Sequence, residues 1–411
     1  MNFLPDLKIS EYDYTLPKVK IADYPLEKRD ESKLLFFNCK AKVIEHYIFK
    51  SITELIPSDS LLIINSTKVI SARLYMKKSS GGKCELLLVD PIEPTNDPAL
   101  IMNSFGTCTW KCMIGGRKIK EGTILEYHLP NKLNFSAEIL DRNENYGSVK
   151  FCWQSGLSFA ELINVLGEIP LPPYIERETT EDDKEWYQTI YAKSDGSIAA
   201  PTAGLHFTDE VLINLKKMNI KISELLLHVG PGTFLPVSAD EVRHHNIHDE
   251  RFYVNKSTIV YIIKQLNLNK NIIAVGTTSV RTLETLYWLG LALDAKNTIN
   301  EFNLEQDYPY SHIHKGTKIE AVHSLENILA FLEYNNLEYI TGKTKLFIMP
   351  GYNYKIVNGI ITNFHLPKST LLLLVAAFIG ELEWKKVYDE ALLNDYRFLS
   401  YGDSSFLFNP K

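Results

Sequence analysis

The chain reads as an α/β protein, a mixed sheet with helices, carrying an inserted small antiparallel β-barrel. Two observations predict this. Short alternating segments at 84–89, 107–114, 123–129, 135–140 and 148–153 are separated by Gly81-Gly82, Gly115-Gly116, Pro130-Asn131 and Tyr146-Gly147. Evenly spaced strands with glycine punctuation close into a barrel or sandwich. After residue 155 the period lengthens and strands alternate with helices, the pattern of an α/β sheet. The expected domains are residues 1–64 with 154–411 for the α/β unit and 65–153 for the barrel. A longer polar insertion is read at about 290–345.

Taken in order, Leu-Leu-Ile-Ile at 61–64 is a buried strand, broken at Asn65-Ser66-Thr67-Lys68 and resumed over 69–75. Residues 158–166 have helical spacing, and Thr208 is a suitable N-cap for a helix carrying Val211, Leu212 and Leu215 on one face. Residues 220–229 and 271–275 are strands, the second running through Gly276-Thr277-Thr278 into a helix over 279–289. Further strands are expected at 347–349 and 359–363, an amphipathic helix at 324–333 and a buried helix at 369–379. Its apolar run, Leu371 to Ile379, is too short to cross a bilayer. Thr341-Gly342-Lys343-Thr344 suggests a phosphate loop, but Leu337 stands where the Walker pattern needs glycine.

At 411 residues and 45% hydrophobic content, the chain can build two domains with a sizeable core. Its net charge of −6 confines any nucleic-acid contact to a local patch. Cys39, Cys84, Cys108, Cys112 and Cys152 form an odd, scattered set without a C-x-x-C, which argues against a disulfide framework or zinc ribbon and fits a reducing cytoplasm. Cys108 and Cys112 share a strand face and read as ordinary barrel residues. The N-terminus has acidic residues early and no apolar signal region, so a cytoplasmic location is expected.

Two segments pair a histidine with a glycine turn and a small hydroxyl residue. Residues 198–208 read Ile-Ala-Ala-Pro-Thr-Ala-Gly-Leu-His-Phe-Thr, placing Thr202, Gly204 and His206 before a helix start. A helix N-terminus favours anions and a neutral imidazole, which can act as a base; a histidine bonded to its own turn is the alternative. Residues 227–237 read Leu-His-Val-Gly-Pro-Gly-Thr-Phe-Leu-Pro-Val. Here His228 would be a satisfied core histidine were it not followed by Gly230, Gly232 and Thr233 at the strand's carboxyl end, where α/β proteins bind ligands. As a dinucleotide fingerprint it is weak, since Leu235 takes the third glycine position. His244, His245 and His248 with Asp249 and Glu250 have pair spacings that metal ligands use but no H-E-x-x-H or facial-triad arrangement, and read as surface or substrate contacts. Gly276, Thr277 and Thr278 with Arg281 one turn into a helix form a candidate carboxylate or phosphate clamp. Asn363 and His365 share a loop before the buried helix, and Asp403 sits at a further turn, where a lone aspartate is usually turn chemistry.

Together these segments resemble the S-adenosylmethionine:tRNA ribosyltransferase-isomerases of queuosine biosynthesis. The likeness takes in Ile-Asn-Ser-Thr-Lys-Val-Ile-Ser-Ala-Arg-Leu at 64–74, Ile-Pro-Leu-Pro-Pro-Tyr-Ile at 169–175 and Pro-Thr-Ala-Gly-Leu-His-Phe at 201–207. It continues through 228–237, 245–250, 276–284, 350–378 and 396–406. Departures are Lys68 and Ser71 in place of an expected arginine and proline, Pro231 in the glycine turn, and Lys368 in place of an acidic residue. Lys68 keeps the charge but loses the bidentate fork.

The resemblance implies an α/β domain with an inserted barrel. It further implies transfer and isomerisation of the ribosyl group of S-adenosylmethionine onto the 7-aminomethyl-7-deazaguanine wobble base of tRNA, giving epoxyqueuosine-tRNA, adenine and methionine. S-adenosylmethionine is then a co-substrate, and no metal or other cofactor is expected. His206 or His228 is the expected base, with Asp403 near the sulfonium or acceptor amine. Thr277, Thr278 and Arg281 are expected to hold the methionine carboxylate. Thr202, Gly204, Gly230, Gly232, Thr233, Gly276, Asn363 and His365 complete the pocket. Lys68, Arg73, Lys83 and Arg117 are expected to meet tRNA, and a flipped wobble base to stack on Tyr174. A monomer is expected, since no heptad seam is visible. Two rival readings remain at this point: a methyltransferase, which yields S-adenosylhomocysteine, and a non-catalytic RNA-binding module, which has no need of the histidine-glycine segments.

Overall fold

A computed structural model describes residues 3–128, 134–230, 232, 237, 239–293, 302–314 and 319–410. Its centre is four parallel strands, Lys221–Leu227, Leu61–Asn65, Ile272–Val275 and Gly359–Asn363, lying side by side in that order. The last three are buried along their whole length, as expected of parallel strands covered on both faces. Successive side chains feed opposite cores. Leu61, Ile63, Ile272, Ala274 and Ile360 pack with Val280 and Leu283 of helix Gly276–Ala292. Leu62, Ile64, Ile273, Val275 and Ile361 pack with Val211 and Leu215 of helix Asp209–Lys217. Thr208 caps that second helix through the amide of Val211.

The sheet grows to ten strands by edge additions. Ser404–Phe408 runs antiparallel to Gly359–Asn363 and is followed by Lys33–Asn38 and Val43–Ile48. Beyond Lys221–Leu227 lie Glu250–Asn255, Tyr339–Thr344 and Phe302–Leu304. The expected strand at 347–349 is absent; the strand is instead Tyr339–Thr344, which contains the Thr-Gly-Lys-Thr tetrapeptide. Its polar residues alternate with Ile340 and Thr344 facing inward, a half-buried pattern without an apolar signature. The apolar stretch after it is buried, but side chains rather than a ladder satisfy its carbonyls: Arg281 Nε donates to Leu346 and the Tyr310 hydroxyl to Phe347. The 290–345 stretch carries helices Tyr308–His314 and Ala321–Tyr334, and the rings of Tyr308 and His312 pack on Trp288.

The insert is a closed six-stranded antiparallel barrel in the order Tyr146–Trp153, Thr107–Gly115, Lys83–Glu93, Arg73–Lys78, Ile124–His128, Asn134–Ile139. Leu74, Leu86, Cys108, Trp110, Cys112 and Phe151 fill it, and Phe159 from helix Phe159–Leu166 joins the same core. Ser158 and Glu161 form a reciprocal capping box that fixes the start of this helix. Burial pushes the Cys108 and Cys112 thiols well up, so both are inert filling.

Candidate active site at the carboxyl edge of the central sheet

Parallel strands bring their carboxyl ends to one edge, where loops diverge and leave a crevice. Here that edge gathers Asn65, His228, Gly276 and Asn363 from the four central strands. The strands starting at Lys33 and Ser404 begin at the same edge and deliver Ser32 and Asp403. Three adjoining cavities open among these loops, meeting at Val229, Gly230, Glu250 and Leu371.

The first, of about 70 Å³, is lined by Thr202, Gly276, Thr277, Thr278, Asn363, His365 and Tyr174 among others. Gly276 adopts φ +83°, which lets the strand pass straight into helix Gly276–Ala292. No side chain caps that helix, so its first amides are free of a capping partner. The hydroxyls of Thr278 and Ser279 are buried and without hydrogen-bond partners. A helix N-terminus with an unpaired hydroxyl suits a carboxylate.

His206 lies in the turn Thr202–His206 and both its ring nitrogens are engaged. Asn363 donates its amide to the carbonyls of Leu399 and Ser400, which turns its Oδ1 toward His206 Nε2 at 3.1 Å. Nε2 is therefore the protonated nitrogen, and Nδ1 accepts from the Ser32 hydroxyl at 2.8 Å. Burial lowers the His206 pKa to about 4. Gly204 is needed here because a Cβ would collide with the Tyr191 hydroxyl, 2.0 Å away. His365 is also neutral, with burial lowering its pKa to about 3 and Nε2 beside the Thr362 hydroxyl at 2.9 Å.

His228 differs. Its Nδ1 lies 3.1 Å from the Thr67 hydroxyl, while Nε2 is buried and has no partner. The ring lines a polar cavity of about 60 Å³ with Asp90, Gly196, Gly230, Asp249 and Glu250. Burial lowers its pKa to about 4, opposed by the nearby Asp97 carboxylate. Asp97 in turn accepts from the Tyr253 hydroxyl at 2.8 Å, tying the insert to the sheet beside the histidine.

The third cavity, of about 570 Å³, is lined by Gly230, Gly232, His245, His248, Glu250 and Arg281 with apolar walls from Phe347 and Leu374. Arg281 thus faces a different cavity from Thr277 and Thr278. It ion-pairs with Glu250 and donates to the carbonyls of Leu346 and Thr344. Thr233 lies outside the described residues. Among the described residues no cluster of three or more His, Cys, Asp or Glu could hold a metal ion.

Asp403 lines none of these cavities. Its carboxylate accepts the backbone amides of Lys33 and Arg397 at 2.9 and 2.7 Å, clamping the start of two strands. The basic positions fall into two groups. Lys68, paired with Asp195, and Arg73, paired with Glu85, lie at the root of the barrel. Tyr174 lines the first cavity, its hydroxyl bonded to Ser400 at 2.7 Å. Lys83 and Arg117 are exposed near Lys78 at the opposite end of strand Arg73–Lys78, roughly 17 Å along it. Sequence reasoning gave Glu250 no role of its own, because its only signal is a place in a charged run.

A family model described as "Queuosine biosynthesis protein" matches residues 9–407. The chain belongs to this family. It is 40% identical over 400 residues to the S-adenosylmethionine:tRNA ribosyltransferase-isomerase of Thermotoga petrophila, covering 97% of this chain and 99% of that protein. The enzymes of the same name from Thermosipho africanus and Heliobacterium modesticaldum are 37% and 36% identical over 98% and 97% of this chain, and over 100% and 99% of their own lengths. A crystal structure of S-adenosylmethionine tRNA ribosyltransferase from Thermotoga maritima is 31% identical, covers 97% of this chain and all of that one, and superposes with a TM-score of 0.47. Membership in the queuosine biosynthesis family is consistent with the α/β sheet and inserted barrel described above. Among the described residues no helix is long and apolar enough to cross a membrane.

Proposed function

We propose that the protein is an S-adenosylmethionine:tRNA ribosyltransferase-isomerase, moving the ribosyl group onto the 7-aminomethyl-7-deazaguanine wobble base. The observation that carries the assignment to this edge is the pairing of His228, with its unpaired Nε2, and the uncapped helix N-terminus at Gly276–Thr278. One offers a base, the other a seat for the methionine carboxylate.

The sulfonium acidifies the adjacent 5′ carbon. In the tautomer whose Nδ1–H donates to the Thr67 hydroxyl, the His228 Nε2 lone pair is free to take that proton. Loss of adenine, attack by the acceptor amine and ring closure with loss of methionine then complete the transfer. The sulfonium supplies the leaving group, so the reaction calls for no further cofactor. His206 holds Asn363 and the turn at Thr202 rather than moving a proton, because both its nitrogens are bonded. Lys68 and Arg73 at the barrel root would steer the anticodon stem-loop, with Tyr174, on the wall of the first cavity, available to stack a flipped base. The working form in this reading is a monomer in the cytoplasm, where the five cysteines stay free thiols.

The test is product analysis after incubation with S-adenosylmethionine and tRNA bearing the aminomethyl-deazaguanine base. Adenine, methionine and a tRNA heavier by an epoxycyclopentane-type group are expected. S-adenosylhomocysteine with a methylated product would overturn the reading in favour of a methyltransferase.

A further inference from the structure

A sulfonium entering a protein cavity loses hydration, and without a counter-charge this is costly. Asp403 does not supply it, since it lines none of the three cavities. Among the described residues lining the three cavities the carboxylates are Asp90, Asp249 and Glu250. Asp249 is paired with Lys343 at 3.1 Å and half exposed. Asp90 lies among Lys111, Lys343 and Arg251 as well as Asp249.

Glu250 is placed differently. It is the one carboxylate shared by the largest cavity and the cavity of His228, and it is only 4% exposed. The strand Glu250–Asn255 starts there, and the Arg281 guanidinium, fixed by the carbonyls of Leu346 and Thr344, holds one carboxylate oxygen. The Gly230 amide supplies a second contact. An ionised carboxylate accepts about four hydrogen bonds, so acceptor capacity remains toward the cavities. Burial raises the Glu250 pKa while Arg281 opposes it, and a bound cation would favour the charged form further.

We propose that Glu250, oriented by Arg281, is the specificity residue that selects the sulfonium form of the co-substrate over its uncharged thioether analogue. This rests on the reading that these cavities bind S-adenosylmethionine. The mechanism is charge complementarity with a carboxylate held out of bulk water, from which the neutral thioether gains nothing.

The experiment is calorimetric titration of the full-length protein with S-adenosylmethionine and, separately, S-adenosylhomocysteine. The wild type is expected to bind the sulfonium about tenfold more tightly than the thioether. Glu250→Gln is expected to remove that preference while leaving thioether affinity within about twofold. Glu250→Asp, which keeps the charge, is expected to restore part of it. A Gln variant that keeps the wild-type ratio overturns the proposal. So does an equal loss of both ligands in the Gln and Asp variants, because that marks the ion pair as structural only. A wild-type protein that binds neither ligand refutes the broader reading, and this proposal with it.

Discussion

The two histidine-glycine segments look alike in sequence and differ in structure. Around residues 201–207 the ring of His206 is closed on both sides, by Ser32 and Asn363, and the turn is packed so tightly that Gly204 touches the Tyr191 hydroxyl. Around His228 one ring nitrogen is held by Thr67 and the other has no partner. Burial depresses both pKa values to about 4, so neutrality alone does not separate them. What separates them is hydrogen-bond saturation. Both His206 nitrogens are held by protein groups, so neither is open to a ligand, whereas the unpartnered Nε2 of His228, whose ring lines a cavity, is available to take a proton.

That contrast can be broken most sharply by substitution. His228→Gln keeps a polar side chain but removes the base, and kcat is expected to fall by about 10³, with S-adenosylmethionine affinity little changed. Stopped-assay adenine release reads this directly. His206→Ala should act in the opposite sense. It leaves the Ser32 hydroxyl and the Asn363 carbonyl oxygen unpaired in the interior, and unfolding in urea is expected to show a loss of about 2–4 kcal/mol.

Titration sharpens the same comparison. His206 and His228 at about 4 and His365 at about 3 all lie below the ordinary histidine value of 6.5. The unfolded chain therefore takes up protons first as the pH falls. Stability is full above 6.5 and declines toward 4, by about 2 kcal/mol per histidine on going from pH 7 to pH 5. Urea midpoints at the two pH values measure it, and a flat profile would contradict the buried neutral assignment.

Thr278→Val removes an unpaired hydroxyl at the helix start, and the Kd for S-adenosylmethionine is expected to rise about tenfold with kcat nearly unchanged. The smallest effect is expected at the barrel tip. Lys83→Glu with Arg117→Glu should raise KM for tRNA about threefold at low salt and less at high salt, whereas Lys68→Glu at the root should cost more.

How much of this was legible in the sequence depended on whether the signal was local. The barrel is written in a period of two with glycine breaks, and the parallel strands in continuous apolar runs, so both could be read. Glu250–Asn255 and Tyr339–Thr344 could not, because they lie toward the sheet edge with mixed residues, and their pairing joins segments far apart in the chain. The same holds within the site. Gly276-Thr277-Thr278 announces a strand-to-helix turn, and the structure has one. The division of Arg281 from those threonines into another cavity depends on Glu250 thirty-one residues earlier, and no local pattern carries that pairing. Asp403 reads as a turn residue, and its bond to the Arg397 amide is such local chemistry, whereas its bond to the Lys33 amide joins segments far apart in the chain and carries no local signal.

The most direct test of the account is single-turnover adenine release from S-adenosylmethionine with acceptor tRNA, run in parallel for His228→Gln and His206→Gln, each shown to be folded by circular dichroism. The account predicts that His228→Gln abolishes release while folded His206→Gln retains most of it. Release that survives in His228→Gln and vanishes in a folded His206→Gln would contradict it.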